Sequence, residues 1–240
     1  MLVFDVSASM AADDSEPTRM VAAQTIAQTL IERKPGNVKM GVVAFSDGGL
    51  LVQPPTHDRL ALAATIGRLV PQSGTSLGRG ILAALGAVST AVDEDRGDDD
   101  GPAQASPRGA FAPTVIVLFT DGENTAPPDP LEAAQTAIEQ GVRVFTVGVG
   151  SSSGTTVEID GFYVFTQLNE AMLKEIASLT EGEYFNVESA DDAPAIYDGL
   201  DKQFVVESEK REITSALGGV SMLVLLIAGA LSLLWFGRVP

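Results

Sequence analysis

Short runs of apolar and β-branched residues alternate along this chain with longer stretches of helical period, and that alternation constrains the fold more than any other feature. Successive strand–helix units pack as a mostly parallel sheet with helices on its faces. The expected strands are Leu2–Phe4, Val38–Phe45, Leu50–Gln53, Thr114–Phe119, Arg143–Val149 and Glu183–Val187. Helical patterns occupy Thr18–Arg33, Asp58–Leu69, Leu77–Val92, Pro130–Gln140, Glu170–Thr180 and Ala193–Ser208. The fold class that follows is α/β: a doubly wound, mostly parallel, Rossmann-like sheet flanked by helices. Asn169 suits the N-cap of the fifth helix, and Gly36, Gly141 and Gly182 suit chain reversals after helices.

One stretch breaks this pattern. From Ile213 to Phe236 run 24 uncharged, mostly aliphatic residues. At about 1.5 Å per residue they reach roughly 36 Å, enough to cross a bilayer core of about 30 Å. Trp235 and Phe236 close the run where aromatic rings favour the interface, with Lys210 and Arg211 before it and Arg238 after it. The expected organisation is an α/β domain over 1–209, a transmembrane helix over 213–236 and a short tail over 237–240. Residues 93–109 are acidic, contain Gly and Pro and lack apolar period, so they read as a surface loop.

Composition removes several functions. The formal net charge of −17 repels phosphate backbones, so nucleic acid is not an expected partner. With no cysteine and a single histidine, His57, thiolate zinc sites, cysteine nucleophiles and histidine-based dyads are absent or improbable. Any metal must bind to oxygen.

The segment richest in such oxygens is Asp5-Val6-Ser7-Ala8-Ser9, directly after the first apolar run and so at a strand's carboxyl end, where open α/β sheets bind ligands. One carboxylate and two hydroxyls at alternate positions in a tight loop suit a hard cation, and the small number of carboxylates favours Mg2+ or Mn2+ over Ca2+. Serines at a strand end also serve as ordinary helix caps. Two further segments shift the balance: Ser73-Gly74-Thr75-Ser76 offers Thr75 as a third hydroxyl, and Phe119-Thr120-Asp121-Gly122 places Asp121 at another strand's carboxyl edge. In a doubly wound sheet Asp5, Ser7, Ser9, Thr75 and Asp121 can share one crevice.

Taken jointly, the Asp-x-Ser-x-Ser segment, the later Thr75 and the later Asp121-Gly122 resemble the metal-ion-dependent adhesion site of von Willebrand factor A domains. The chain layout, with Leu173-Lys-Glu-Ile-Ala and Gly182-Glu-Tyr-Phe ahead of the apolar run, is similar to bacterial aerotolerance-type membrane proteins. The resemblance implies a Mg2+ or Mn2+ ion held by those five residues, with one coordination position open for a protein ligand's carboxylate. It further implies partnership with related A-domain membrane proteins and a MoxR-type AAA+ ATPase in a bacterial envelope, and no catalysis. Such relatives carry membrane helices ahead of the A domain, whereas Met1 opens almost directly into the first strand. The family layout places the domain outside the cytoplasm; a genuine start at Met1, and the local excess of Lys202, Lys210 and Arg211 over Arg238, place it inside. Two other readings compete. A haloacid-dehalogenase-type phosphohydrolase also puts an aspartate after the first strand, but Ser7 stands where its general acid would be. A metal-independent membrane scaffold would associate through apolar surfaces instead.

Overall fold

The computed structural model describes residues 1–15, 17–96, 114–159, 161–187 and 196. The expected membrane helix at 213–236, the tail at 237–240, most of the expected helix at 193–208 and the acidic stretch from 97 onward lie outside the described residues. Among the described residues no helix is long and apolar enough to cross a membrane.

The chain order is β1 (Leu2–Asp5), a 3-10 turn (Ala8–Ala11), α1 (Arg19–Arg33), β2 (Met40–Phe45), β3 (Gly49–Thr56), α2 (Arg59–Ile66), α3 (Leu77–Arg96) and β4 (Val115–Thr120). It continues with α4 (Pro130–Glu139), β5 (Arg143–Val149), β6 (Thr155–Ile159), β7 (Phe162–Thr166), α5 (Glu170–Leu179) and β8 (Tyr184–Val187). Six strands form one sheet in the order β3-β2-β1-β4-β5-β8, and β6 and β7 form a separate two-stranded sheet. Only β3 runs antiparallel to its neighbour in the large sheet.

Central strands covered on both faces read as continuous apolar runs, and β1, β2 and β4 do so. Val3, Val43, Ile116, Leu118 and Val144 pack with Leu77, Ile81 and Leu85 of α3, Ala133 and Ala137 of α4 and Ile176 of α5. Alternation sends Leu2 and Phe4 to the opposite side of the sheet, where Phe4 and Phe119 stack with centroids 4.8 Å apart. Gln24 of α1 donates to the carbonyls of Ile66 and Leu69, tying α1 to the end of α2.

Several boundaries move for identifiable reasons. Strand β3 runs on through Pro54 and Pro55 to Thr56, beyond the expected stop at Gln53, because an edge strand tolerates residues without an N–H. Helix α3 continues to Arg96, so the expected loop at 93–109 begins as helix; Asp, Glu and Arg do not break a helix, and the first strong breaker is Gly97. Asn169 caps α5 through a hydrogen bond from the Met172 N–H, as the sequence leads one to expect. The left-handed residue after α5 is Glu181 rather than Gly182. Gly182 is instead pressed against the Val144 backbone, where a Cβ would not fit. The hairpin formed by β6 and β7 has no counterpart among the expected strands.

Candidate metal centre

The order of the large sheet sets where a ligand can sit. From β1 the chain moves outward to β2 in one direction and reaches β4 in the other. The carboxyl ends of β1 and β4 therefore flank a topological switch point, the crevice in which open α/β sheets bind ligands. Asp5 ends β1 and Asp121 follows the last residue of β4, Thr120.

The loop after β1 folds around the Asp5 carboxylate. One oxygen accepts the Ser7 N–H at 2.8 Å and the other accepts the Thr120 hydroxyl at 2.6 Å, so a residue of β4 fixes the aspartate of β1. Ser7 and Ser9 share a hydroxyl–hydroxyl bond of 2.9 Å, and the Ser9 side chain lies close enough to Asp121 to favour its charged form. Asp121 accepts the Glu123 N–H at 3.0 Å on one oxygen. The turn after it needs Gly122, whose φ is +77° and whose missing side chain leaves room for the Asn169 carbonyl. Thr75 arrives on a loop joined to both ends: the Gln72 N–H bonds the Val6 carbonyl, and the Thr75 carbonyl accepts from the N–H groups of Thr125 and Ala126. The Thr75 residue is 6% exposed, and its carbonyl also accepts the Thr125 hydroxyl at 3.1 Å.

The electrostatics follow from two buried carboxylates placed side by side. Burial, reinforced by the Asp121 charge, pushes the Asp5 carboxyl up to about 7 against the bonds from Ser7 and Thr120. Burial likewise raises Asp121, opposed by Ser9, the Glu123 backbone and Arg19. Such a pair calls for positive charge.

Part of that charge comes from Arg19, a residue the motif reading does not include. It is fully buried at the start of α1. Its Nη1 donates to Asp121 Oδ2 at 2.9 Å and to the Thr166 hydroxyl at 2.8 Å. Its Nε and Nη2 grip both oxygens of Asp14 at 2.7 and 2.6 Å. Asp14 in turn accepts the Ser151 N–H at 2.9 Å. Burial acts against the charge on both partners, but their mutual bonds prevail, lowering Asp14 and raising Arg19. Gly150, with φ +121°, admits the guanidinium: a Cβ there would stand 2.5 Å from Arg19 Nε. A signal for Arg19 does exist in the sequence, since a cation in the first turn of a helix opposes the macrodipole and needs a reason.

Asp5, Ser7, Ser9 and Asp121 are thus linked by bonds or by direct charge interaction, and Thr75 is held on a loop tied to the Val6 and Thr125 segments. The donors are all oxygen. No basic side chain bonds Asp5 among the described residues. This set fits a hard divalent cation.

Known proteins share this architecture. A family model described as von Willebrand factor type A domain matches residues 1–123. A UPF0353 protein of Mycobacterium sp. (strain KMS) is 32% identical over 246 residues, spanning 100% of this chain and 70% of the relative. One from Mycolicibacterium vanbaalenii is 33% identical over the same spans. Among solved structures, an aerotolerance-related membrane protein from Bacteroides fragilis superposes with a TM-score of 0.67 at 27% identity, covering 84% of this chain and 98% of that one. The protein BatB from Bacteroides thetaiotaomicron gives 0.66 at 25%, covering 84% and 96%. The mussel byssus proximal thread matrix protein 1, described with a zinc occupied MIDAS motif, shares the fold at a TM-score of 0.56 and 19% identity, covering 82% of this chain and 45% of that one. The chain belongs to the von Willebrand factor type A domain family.

Proposed function

We propose that this protein is a membrane-anchored binding module that captures protein partners through a divalent cation held by Asp5, Ser7, Ser9, Thr75 and Asp121, and that it is not an enzyme. The observation that carries the reading is the meeting of two fully buried carboxylates with a hydroxyl cluster at the sheet's switch point. Ser7, Ser9 and Thr75 would coordinate the ion directly or through water, and Asp5 and Asp121, whose oxygens also accept hydrogen bonds from the protein, would ligate it or hold its waters and balance its charge. Mg2+, with Mn2+ second, matches two carboxylates among neutral oxygens. The bound ion supplies a positive anchor for a partner's carboxylate. The mussel protein, which shares the fold and is described with a zinc occupied MIDAS motif, supports a divalent ion. No hydrogen bond from histidine or lysine reaches Ser7 or Ser9 among the described residues. The ionisable groups beside them, Asp5 and Asp121, are those assigned to the cation rather than to proton abstraction.

The membrane half of the proposal assigns residues 213–236 as the anchor and places the A domain on the extracytoplasmic side of a bacterial membrane. The Bacteroides fragilis neighbour, described as a membrane protein, supports the membrane attachment. Envelope maintenance or complex assembly, with related A-domain membrane proteins and a MoxR-type AAA+ ATPase as partners, is the role we infer. The cysteine-free sequence makes the topology directly testable. Ser152→Cys should react with a membrane-impermeant maleimide in intact cells, and protection until lysis would place the domain in the cytoplasm.

Calorimetric titration of Mg2+ into the full chain in detergent micelles, beside Asp5→Ala, tests the site, with a thermal melt of each as the folding check. Saturable binding that disappears in the folded variant is expected. A folded wild type that takes up no Mg2+ favours the metal-independent scaffold.

A further inference from the structure

We infer that the β6–β7 hairpin is a second contact for the protein held at the metal centre, an apolar ledge that selects partners with a large apolar residue near the acidic one. This rests on the reading of Asp5, Ser7, Ser9, Thr75 and Asp121 as a partner-binding cation site, a set to which no hairpin residue belongs. The base of the hairpin is built into the rim of that site. The Thr166 hydroxyl accepts from Arg19 Nη1, the same group that donates to Asp121. The Gln167 N–H donates to Glu123, two residues after Asp121. The Leu168 N–H donates to the Ser151 carbonyl, and the Ser151 N–H to Asp14. Strand β6 also packs beside the 3-10 turn that carries Ser9.

The pleat gives the hairpin two unlike faces. Thr166 points inward to Arg19, so Val164 and Phe162 share its side of β7, with Val157 across from Val164. Val164 and Phe162 are 42% and 74% exposed, so an uncovered apolar stripe starts beside the metal centre and runs outward. The other face sets Thr156 and Glu158 opposite Phe165 and Tyr163. Phe165 has a local use there, since its ring lies over Gly154, where a Cβ would collide with it. Charge decides what covers the apolar stripe. A lipid surface is met through lysine or arginine beside the aromatic rings, whereas residues 155–166 contain neither and carry Glu158 and Asp160. A second copy would set like against like, because the formal net charge of each chain is −17. A different protein that brings one carboxylate to the ion and apolar side chains to Val164 and Phe162 meets neither obstacle. At about 3.3 Å per residue, Val164 stands roughly 7 Å and Phe162 roughly 13 Å along β7 from Thr166, a span that an extended partner segment covers in about five residues. Large rings of this kind anchor protein interfaces because they bury much area at little cost in side-chain freedom.

We would pan a display library of random short peptides against the full chain in detergent micelles with Mg2+, and release the bound peptides with EDTA. Peptides released from wild type should carry an acidic residue with an aromatic or large aliphatic residue within about five positions. Synthesised with a fluorophore, they should bind Phe162→Ser about tenfold more weakly by anisotropy, the loss expected for one buried aromatic contact. Tyr163→Ser, on the opposite face, should stay within about twofold of wild type. Equal losses in the two variants, or acidic peptides without an apolar neighbour, overturn the inference. If Phe162→Ser fails to fold by thermal melt or to take up Mg2+, Val164→Ser decides on the same criterion. In nanodiscs of phosphatidylcholine with brominated acyl chains, Phe162→Trp on a Trp235→Phe background should remain unquenched; quenching makes the bilayer the occupant and overturns the inference. A dimer in sedimentation that Phe162→Ser dissociates makes the occupant a second copy and does the same. Wild type that takes up no Mg2+ removes the metal reading and this inference together. Mg2+ uptake without any peptide released by EDTA removes the inference alone.

Discussion

The carboxyl edge between β1 and β4 and the β6–β7 hairpin invert each other's rules. At the edge, Asp5, Asp121 and Arg19 are each 0% exposed. On the hairpin, Phe162, Tyr163 and Phe165 are 74%, 77% and 61% exposed. Polar groups are buried where the sheet's topology opens a crevice and hydrogen bonds satisfy them. Aromatic residues stand in solvent on a two-stranded sheet that has no third layer to cover it among the described residues. Hydropathy sorts residues only on average, and the exceptions mark the places where the fold does something other than pack. The two regions also touch: Thr166 ends β7 and bonds Arg19, and the Gln167 N–H bonds Glu123 at 3.1 Å beside Asp121.

The sharpest test of this contrast sets a buried aromatic against an exposed one. Phe4→Ala empties the stack with Phe119 in the fully buried centre of the sheet and should cost about 3–5 kcal/mol in urea unfolding. Asp5→Ala should weaken Mg2+ binding by about a hundredfold or more by calorimetry, yet leave a cooperatively folded chain, because a carboxylate that burial disfavours is removed. A variant that unfolds outright would show that Asp5 chiefly supports the fold.

Changing pH probes the same edge without mutation. Asp5 titrates in the fold at about 7 against an ordinary 3.8. Below 3.8 both folded and unfolded chains carry the proton, so the Asp5 contribution is fully present. Between the two values only the folded chain keeps it, so the Asp5 contribution to metal-free stability falls as pH rises and is gone above about 7. The buried Met1 ammonium, lowered to about 5, and Asp14, also lowered, add contributions of the opposite sign. The quantity to follow is therefore the difference in urea midpoint between wild type and Asp5→Asn, which should decline with pH across this range and decline less in saturating Mg2+. A difference from Asp5→Asn that rises throughout the window would contradict the burial argument. The smallest effect belongs to the hairpin: Phe162→Ser should change stability by no more than about 0.5 kcal/mol, since the ring has little burial to lose. A larger loss would mean that the ring is covered in the intact protein.

What the sequence determined by itself is what lies in local patterns. Apolar runs mark all six strands of the large sheet, and the Asp-x-Ser-x-Ser loop is legible because Asp5, Ser7 and Ser9 lie within five residues of each other on one turn. The β6–β7 hairpin also had a local signal, Asp160-Gly161 between β-branched and aromatic runs, obscured by the Ser- and Gly-rich stretch that precedes it. Tertiary structure alone decided the rest. Thr120 reaches Asp5 across 115 positions, and Arg19 reaches Asp121 across 102 and Thr166 across 147. Residues so far apart in the chain leave no spacing to read, and only the crossing of the chain from β1 over to β4 brings their side chains within hydrogen-bond reach. The sequence therefore specifies which groups are available at the edge. Which of them share a charge depends on the sheet order, because electrostatic interaction is set by distance through the folded protein and not along the chain.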